Sequence, residues 1–487
     1  MNVKRFFRRY AAEIFLFVTT LFIRFPFFFR DYIDKDESTF ILMGQSIADG
    51  YLPYDRLWDL KPPLLFYFFA LIEKVFPHSF VAIRFCGVLI VFVSAVLLMK
   101  IAVQARLKNG FLIALGYVVL SSEFGSLQGV MSEHLAVFFM LLGLVVFIKD
   151  QKRGIDFLLS GVCFGCAILC KLNYAYAVAA LSVVFLINSY QRYYLKQNGV
   201  NLLALVVGVL LPVTLMAFPF IIAGRTSLFI NSVFLAPLKY ARALNFSFLH
   251  KLKTSWWVLA LAGIIISLAV KRSTQENKWI IFICSAILVG TVYTFFSSGI
   301  VNGHYLVQIY PFVLLFVFGV IIQKSINVKL GIAALVVILL SGESILEFSR
   351  LIKAINDPPE YRATFEVLDK LKQRGLDNEK IFFADYHIGY WLLHKYPLTK
   401  STTHPSNLAR PYLFPYYNDR VKTSLEEMNH IFDGIRPDVI VSETDGLKFF
   451  PEGTSENTYF RNIISRDFRM IYKDSIDRIY IWERLPR

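Results

Sequence analysis

The chain has 487 residues, of which 56% are hydrophobic and 47 are phenylalanine, and its formal net charge is +15. That much apolar surface cannot be hidden behind a polar shell, so the composition excludes a soluble globular protein and predicts an α-helical polytopic membrane protein. The charge is spread among short connections between apolar runs, which makes a nucleic-acid partner unnecessary.

Apolar runs able to cross roughly 30 Å of hydrocarbon as helices recur along the chain. About eleven are predicted, at residues 11–29, 79–99, 110–123, 131–148, 155–170, 173–188, 200–223, 254–270, 279–297, 304–323 and 329–346. The third is short, and Pro212 and Pro219 interrupt the seventh. A basic flank precedes the first run and Phe-Phe-Phe-Arg closes it, the pattern of a retained anchor rather than a cleaved signal peptide.

Short cytoplasmic loops collect Lys and Arg. With the N-terminus inside, one side of the membrane receives Lys4, Arg5, Arg8, Arg9, Lys100, Arg106, Lys108, Lys149, Lys152, Arg153, Arg192, Lys196, Lys271, Arg272, Lys278, Lys324 and Lys329, against only Asp150 and Glu276. The expected location is therefore the cytoplasmic (inner) membrane, with the N-terminus cytoplasmic. The outer face receives residues 30–78, 123–133, 171–174, 224–253 and 297–304, and everything after about residue 347. Two domains are expected: a transmembrane catalytic domain, 1–346, whose first outer loop 30–78 carries interfacial helices, and an extracytoplasmic domain, 347–487.

The first outer loop gathers the charged residues. Asp34, Asp36 and Glu37 follow the first span closely, and Asp59 and Lys61 follow a turn at Gly50 and Pro53. Periodicity predicts short amphipathic helices over 37–49 and 64–75, lying in the interface with Tyr51, Tyr54 and Trp58 at headgroup depth. Such a loop would hold Asp36 and Lys61 over a cavity mouth.

Asp36-Glu37 soon after the first span, then Gly50-Tyr51-Leu52-Pro53-Tyr54, then Lys61-Pro62-Pro63-Leu64-Leu65-Phe66-Tyr67 form an ordered set. Arg84, Ser132-Glu133, Lys171, His304-Tyr305-Leu306 and Pro311 continue it on the predicted outer side. Over roughly residues 10–345 the chain resembles glycosyltransferase family 39, the protein O-mannosyltransferase-related family of the GT-C superfamily, whose bacterial branch includes the aminoarabinose transferase of lipid A.

The resemblance implies a GT-C fold and an inverting transfer of a sugar from a polyprenyl-phosphate donor to a lipid, glycan or protein acceptor at the outer membrane face. It places Asp36 at the family's catalytic acid/base position, with Glu37 as a second catalytic candidate or a residue that orients the loop by pairing with an arginine, and Lys61 at the Lys-Pro motif, as the candidate for the donor phosphate. Further donor-phosphate candidates are Arg84, Lys171, Lys239, Arg242 and His304. Asp59, Tyr54, Glu133 and Tyr305 are candidates to line the site. A carboxylate can accept the proton of an acceptor hydroxyl, and a departing phosphate needs cations nearby. The expected cytoplasmic loops are too short for a nucleotide-sugar domain, which agrees with a lipid-linked donor.

Leu60 stands where the aminoarabinose transferases carry a glutamate, and the nearest acid is Asp59. No cofactor is certain, and no metal ligand is assigned. The Asp34-Lys35-Asp36 spacing admits a divalent metal as an alternative. A transporter or lipid-carrier flippase is the alternative function; it would bury charges mid-span in two related halves, whereas Asp36, Lys61 and Glu133 gather toward one face. Each site residue also has a plainer reading. Asp36 can be a helix cap, Lys61 can snorkel to phospholipid headgroups, and Glu133 with His134 can form a structural polar contact.

All five cysteines fall in predicted spans. Cys163, Cys166 and Cys170 share a helix face, but Gly161, Gly165 and Ala167 make close helix packing the better account of that span. Beyond Asn356-Asp357-Pro358-Pro359 the pattern changes to a small α/β domain, with strands at 380–384, 437–442, 468–472 and 478–482 and helices at 366–374 and 424–432. Tyr386-His387, Trp391, His394, His404 and the aromatic run 412–417 could touch an acceptor glycan there, but packing in an ordinary core or docking on the membrane is the better reading.

Overall fold

The computed structural model describes residues 10–149, 153–191, 195–322, 342–354, 363–418, 420–474 and 478–486, with a few isolated positions between 323 and 341. Residues 330, 334, 335 and 337–341 of the predicted eleventh run, the Asn356–Pro359 junction, the first four cations, Lys152 and Arg192 lie outside the described residues.

In chain order the helices are α1 (Ala11–Arg24), α2 (Lys35–Ala48), α3 (Pro63–Val75), α4 (Phe80–Gln104), α5 (Gly110–Leu120), α6 (Ser132–Phe147), α7 (Gly154–Cys170), α8 (Tyr174–Gln191), α9 (Leu195–Ile222), α10 (Thr226–Ile230), α11 (Ala236–Ala243), α12 (Phe248–Lys271), α13 (Lys278–Ser298), α14 (Tyr310–Leu314), α15 (Glu343–Ala354), α16 (Ala363–Gln373), α17 (Gly389–Leu392), α18 (Ser424–Asn429) and α19 (Ser455–Asp467). The strands are β1 (Ile381–Phe383), β2 (Val439–Ser442), β3 (Phe468–Asp474) and β4 (Ile479–Arg484). The first ten predicted runs all coincide with apolar helices, five of them long enough to cross a membrane. The third stops at Leu120 rather than Glu123. At about 1.5 Å per residue, its eleven residues reach only part of the way across a bilayer.

The described chain divides into two compact units. The first draws on Met1–Phe28, Ile83–Phe218 and Leu244–Ser349, and the second on Phe29–Ala82, Pro219–Ala243 and Arg350–Arg487. The first loop thus groups with the C-terminal residues.

The first unit is a helical bundle in which glycines allow close helix crossings. A Cβ on Gly161 of α7 would lie 2.2 Å from the Leu205 carbonyl oxygen of α9, and one on Gly208 would lie 2.2 Å from that of Leu158. Only a missing side chain lets two backbones approach so closely, the usual device where lipid supplies no hydrophobic drive between helices. Val206, Val207, Leu210, Leu211 and Leu215 of α9 are left exposed, as suits a hydrocarbon solvent. Arg24, buried in α1, donates to the carbonyl oxygens of Ser121, Leu127, Gln128 and Gly129, so the turn before α6 is held from four points.

In the second unit, α2 begins at Asp34, whose extended backbone and side chain cap the Asp36 amide at 2.8 Å. Pro62 and Pro63 start α3, where a missing N–H costs nothing. Gly44 lets the two helices touch: a Cβ there would lie 2.6 Å from Phe69 Cβ. The sheet has the order β1-β2-β4-β3, with β1 and β2 parallel and the other pairs antiparallel. Phe382, Ile440, Phe432, Phe460, Ile463 and Trp482 form its core.

The interfacial reading of the first-loop aromatics needs correction. Tyr51 is exposed, but Tyr54 and Trp58 are fully buried inside the second unit. Their polar tips find protein partners, Tyr54 Oη donating to the Lys61 carbonyl and Trp58 Nε1 to Ser232 Oγ, so neither needs a headgroup.

Candidate functional site

Asp36 lies in the first turn of α2, where the helix N-terminus favours a negative charge. Lys61 sits just before Pro62, and its backbone is held on both sides. Its N–H donates to Asp59 Oδ1 at 3.0 Å, and its carbonyl accepts from Tyr54 Oη at 2.8 Å. Tyr54 adopts φ +68°, an unusual left-handed conformation for a non-glycine residue, secured by its complete burial. Tyr54 and Asp59 therefore act on the lysine's position.

Lys61 Nζ meets Asp36 Oδ2 at 3.0 Å, and the other carboxylate oxygen faces His404 Nε2 at 3.3 Å. About a quarter of the Asp36 side chain stays exposed, so the group is reachable. Burial works against the charge, but Lys61 and His404 outweigh it and hold the Asp36 carboxyl well below the usual carboxylate range. Glu37, its neighbour, is buried at 1% exposure. Asp34 is engaged as the helix cap, which leaves the Asp-x-Asp pair doing structural work on one side. No group of His, Cys, Asp and Glu suited to a metal ion occurs among the described residues.

Behind Asp36 the helix is pinned to the α/β part of the unit. Lys35 pairs with Asp385 Oδ1 at 3.1 Å, and Asp385 Oδ2 accepts from the Glu443 amide at 3.2 Å. Thr39 donates its hydroxyl to the Lys35 carbonyl, so His387 Nε2, 3.0 Å from Thr39 Oγ1, is the donor in that contact. Burial, with His404 and Lys35 nearby, keeps the His387 imidazole well below its ordinary pKa and so neutral. Trp58 stacks on Tyr417 at 4.1 Å, while its backbone bonds Thr403 Oγ1 and Asn407 Nδ2.

A second polar cluster forms in the first unit. Glu133, at the start of α6, is ion-paired with Lys171 at the end of α7 and accepts from Ser132 Oγ at 2.9 Å. His304 Nε2 lies 3.9 Å from the same carboxylate, and the lysine stands 4.4 Å from the centre of the Tyr305 ring. His134 is not part of this cluster's chemistry. Its Nδ1 accepts from the Met131 amide and its Nε2 donates to the Ser121 carbonyl, which makes it a structural residue.

Arg84 is buried and donates to the Phe27 carbonyl, while Lys239 and Arg242 are exposed on α11. His394 pairs with His78 rather than with the Asp36 group. His404, read from the sequence only as a candidate glycan contact, is the partner of Asp36 that sequence reasoning missed; no spacing rule links them. The signal available was a histidine among buried polar residues in Ser401-Thr402-Thr403-His404.

Residues 60–218 match the family model described as dolichyl-phosphate-mannose-protein mannosyltransferase. Among solved structures, ArnT from Cupriavidus metallidurans bound to undecaprenyl phosphate is 13% identical, with a TM-score of 0.52 over 97% of this chain and 96% of that one. An oligosaccharyltransferase from Archaeoglobus fulgidus, tethered to an acceptor peptide, is 10% identical with a TM-score of 0.48 over 95% of this chain and 73% of that one. No curated protein matches the chain. The GT-C resemblance is borne out by the family match and the fold, an α-helical membrane architecture with a small C-terminal α/β part.

Proposed function

We propose that this protein, whose fold is that of GT-C glycosyltransferases, moves a sugar from a polyprenyl-phosphate donor to an acceptor hydroxyl at the outer face of the cytoplasmic membrane, with inversion. The observation that carries this reading is Asp36, ionised, partly exposed and bracketed by Lys61 and His404. The binding of undecaprenyl phosphate by the ArnT neighbour supports the donor class.

In the proposed step the acceptor oxygen attacks the anomeric carbon and the bond from that carbon to the phosphate oxygen breaks. The electron pair leaves with the lipid phosphate, and the acceptor proton passes to Asp36. A carboxylate of low pKa is a weak base at rest, but the acceptor oxygen becomes strongly acidic only as the new bond forms, so an always-ionised carboxylate suffices. Lys61 has the second role. An ammonium carries three donors, so it can hold Asp36 and also meet the charge growing on the departing phosphate. Arg84 and Lys171 already have protein partners, and Arg242 lies exposed. For Arg84, Lys171 and His304 a phosphate contact rests on the family resemblance alone, and for Arg242 on its place in an outer loop. The expected topology, N-terminus inside and α/β part outside, belongs to the same proposal.

The test is transfer in vitro from defined polyprenyl-phosphate sugars by the purified wild type, Asp36→Asn and Lys61→Ala. Full transfer by a correctly inserted Asp36→Asn protein would falsify the assignment of the base. Equal activity with a nucleotide sugar and no lipid carrier would overturn the donor class.

A further inference from the structure

The histidine opposite Lys61 on the catalytic carboxylate has a fixed hydrogen pattern. The Ser406 backbone N–H, which can only donate, points at His404 Nδ1 at 3.1 Å, and Ser406 Oγ lies 2.7 Å from the same nitrogen. Nδ1 must therefore be the acceptor, which places the ring proton on Nε2, the atom 3.3 Å from Asp36 Oδ1. His404 is about 10% exposed, and the Ser401–Asn407 stretch that carries it is largely buried. Thr403 and Asn407 of that stretch bond the backbone of Trp58, three residues before Lys61.

We infer that His404 is a positioning residue for Asp36: locked by Ser406 as an Nε2–H donor, it orients the carboxylate for proton acceptance, so the C-terminal segment supplies part of the reaction centre. This rests on the reading of Asp36 as the base. Since Nε2 already bears its proton, His404 does not relay the acceptor's proton onward; Asp36 keeps it until solvent takes it. Lys61 neutralises the carboxylate through one oxygen, and His404 directs it through the other without adding a charge.

The titratable and charged groups around Asp36 are Lys61 from the loop before α3 and His404 and His387 from the C-terminal segment. On its own stretch they are Tyr32, Asp34, Lys35 and Glu37, with Asp385 held by Lys35. The contact with His404 lowers the Asp36 pKa separately from the contact with Lys61.

The experiment uses the full-length protein in lipid nanodiscs and compares His404→Ala, His404→Gln and Asp36→Asn. Infrared difference titration follows the Asp36 carboxyl, with Asp36→Asn identifying its band, and transfer assays give kcat, KM and the acid limb of the pH profile. In His404→Ala the Asp36 midpoint and the acid limb should rise together by about one unit, with kcat falling roughly ten- to a hundred-fold and KM little changed. His404→Gln, which keeps an N–H donor at similar reach, should recover most of both. An unmoved Asp36 midpoint in His404→Ala, or a His404→Gln protein no better than alanine, overturns the inference. Undiminished transfer by Asp36→Asn overturns the functional reading instead, while the infrared titration still decides whether His404 acts on Asp36.

Discussion

Lys61 Nζ stands 3.0 Å from Asp36 Oδ2, and a buried tyrosine and Asp59 fix the lysine backbone from opposite sides. Lys61→Ala should therefore do two things at once. It should raise the Asp36 pKa, moving the acid limb of transfer to higher pH, and it should weaken use of the donor. Asp36→Asn should lower kcat by about 10² to 10⁴. Lys61→Arg, which keeps the charge, should retain the acid limb even where activity falls.

The same pairing has a stability consequence whose sign is fixed. The folded-state pKa of Asp36 is depressed, so its stabilisation is fully present above the unfolded value of about 3.9 and disappears as pH falls through the lower folded value. Lowering the pH from 7 to 5 should leave this contribution intact, and loss should begin only below about pH 4. Acid unfolding followed by tryptophan fluorescence, wild type against Asp36→Asn, should show the two proteins converging at the acid end.

Glu133 and Lys171 are both nearly inaccessible to solvent. Removing one partner strands a buried charge, which typically costs about 3–5 kcal/mol. Lys171→Met alone should lower the yield of monodisperse protein and its melting temperature in detergent. Lys171→Met combined with Glu133→Gln should recover much of that loss; a double variant as unstable as the single one would show that the pair does more than balance charge.

Gly208 and Gly161 leave no room for a methyl group where α7 and α9 cross. Gly208→Ala puts a carbon against a carbonyl oxygen of the other helix, and separating two packed backbones costs typically 1–3 kcal/mol. The expected result is a lower melting temperature, whereas Gly263→Ala, with nothing within 4 Å of its added carbon, should be silent.

Trp58 links the loop carrying Lys61 to Tyr417, Thr403 and Asn407. Trp58→Ala should cost about 3–5 kcal/mol of local stability and expose the 51–62 loop to protease. Transfer should fall even though no group proposed to touch substrate has changed.

Much of the architecture was legible because it depends on local pattern. Hydropathy marked ten helices to within six residues at either end, and apolar runs located the four strands seen among the described residues. Pro62-Pro63 and the acidic first turn announced α3 and α2. Asp36 and Lys61 were named together, though from a family resemblance rather than from distance. What was not legible depends on chain segments far apart. Tyr54 and Trp58 read as interface aromatics because their burial needs Ser232, Thr403 and Tyr417, which no local rule supplies. His404 was hidden for the same reason, and Ser455–Asp467 was missed because a polar helix with few buried residues shows little apolar period.

Asp385 follows β1 and Glu443 follows β2, two parallel strands, so both lie at the carboxyl edge of the sheet, and there Asp385 receives Lys35, the residue beside Asp36. In open α/β proteins that edge commonly holds a diffusible ligand. Here its occupant is the protein's own helix α2, a tethered guest held in place by the fold. The local concentration of such a guest is set by chain connectivity, so the alignment of Asp36 should survive dilution and turnover alike, and deleting the sheet would release the helix rather than merely shorten the protein.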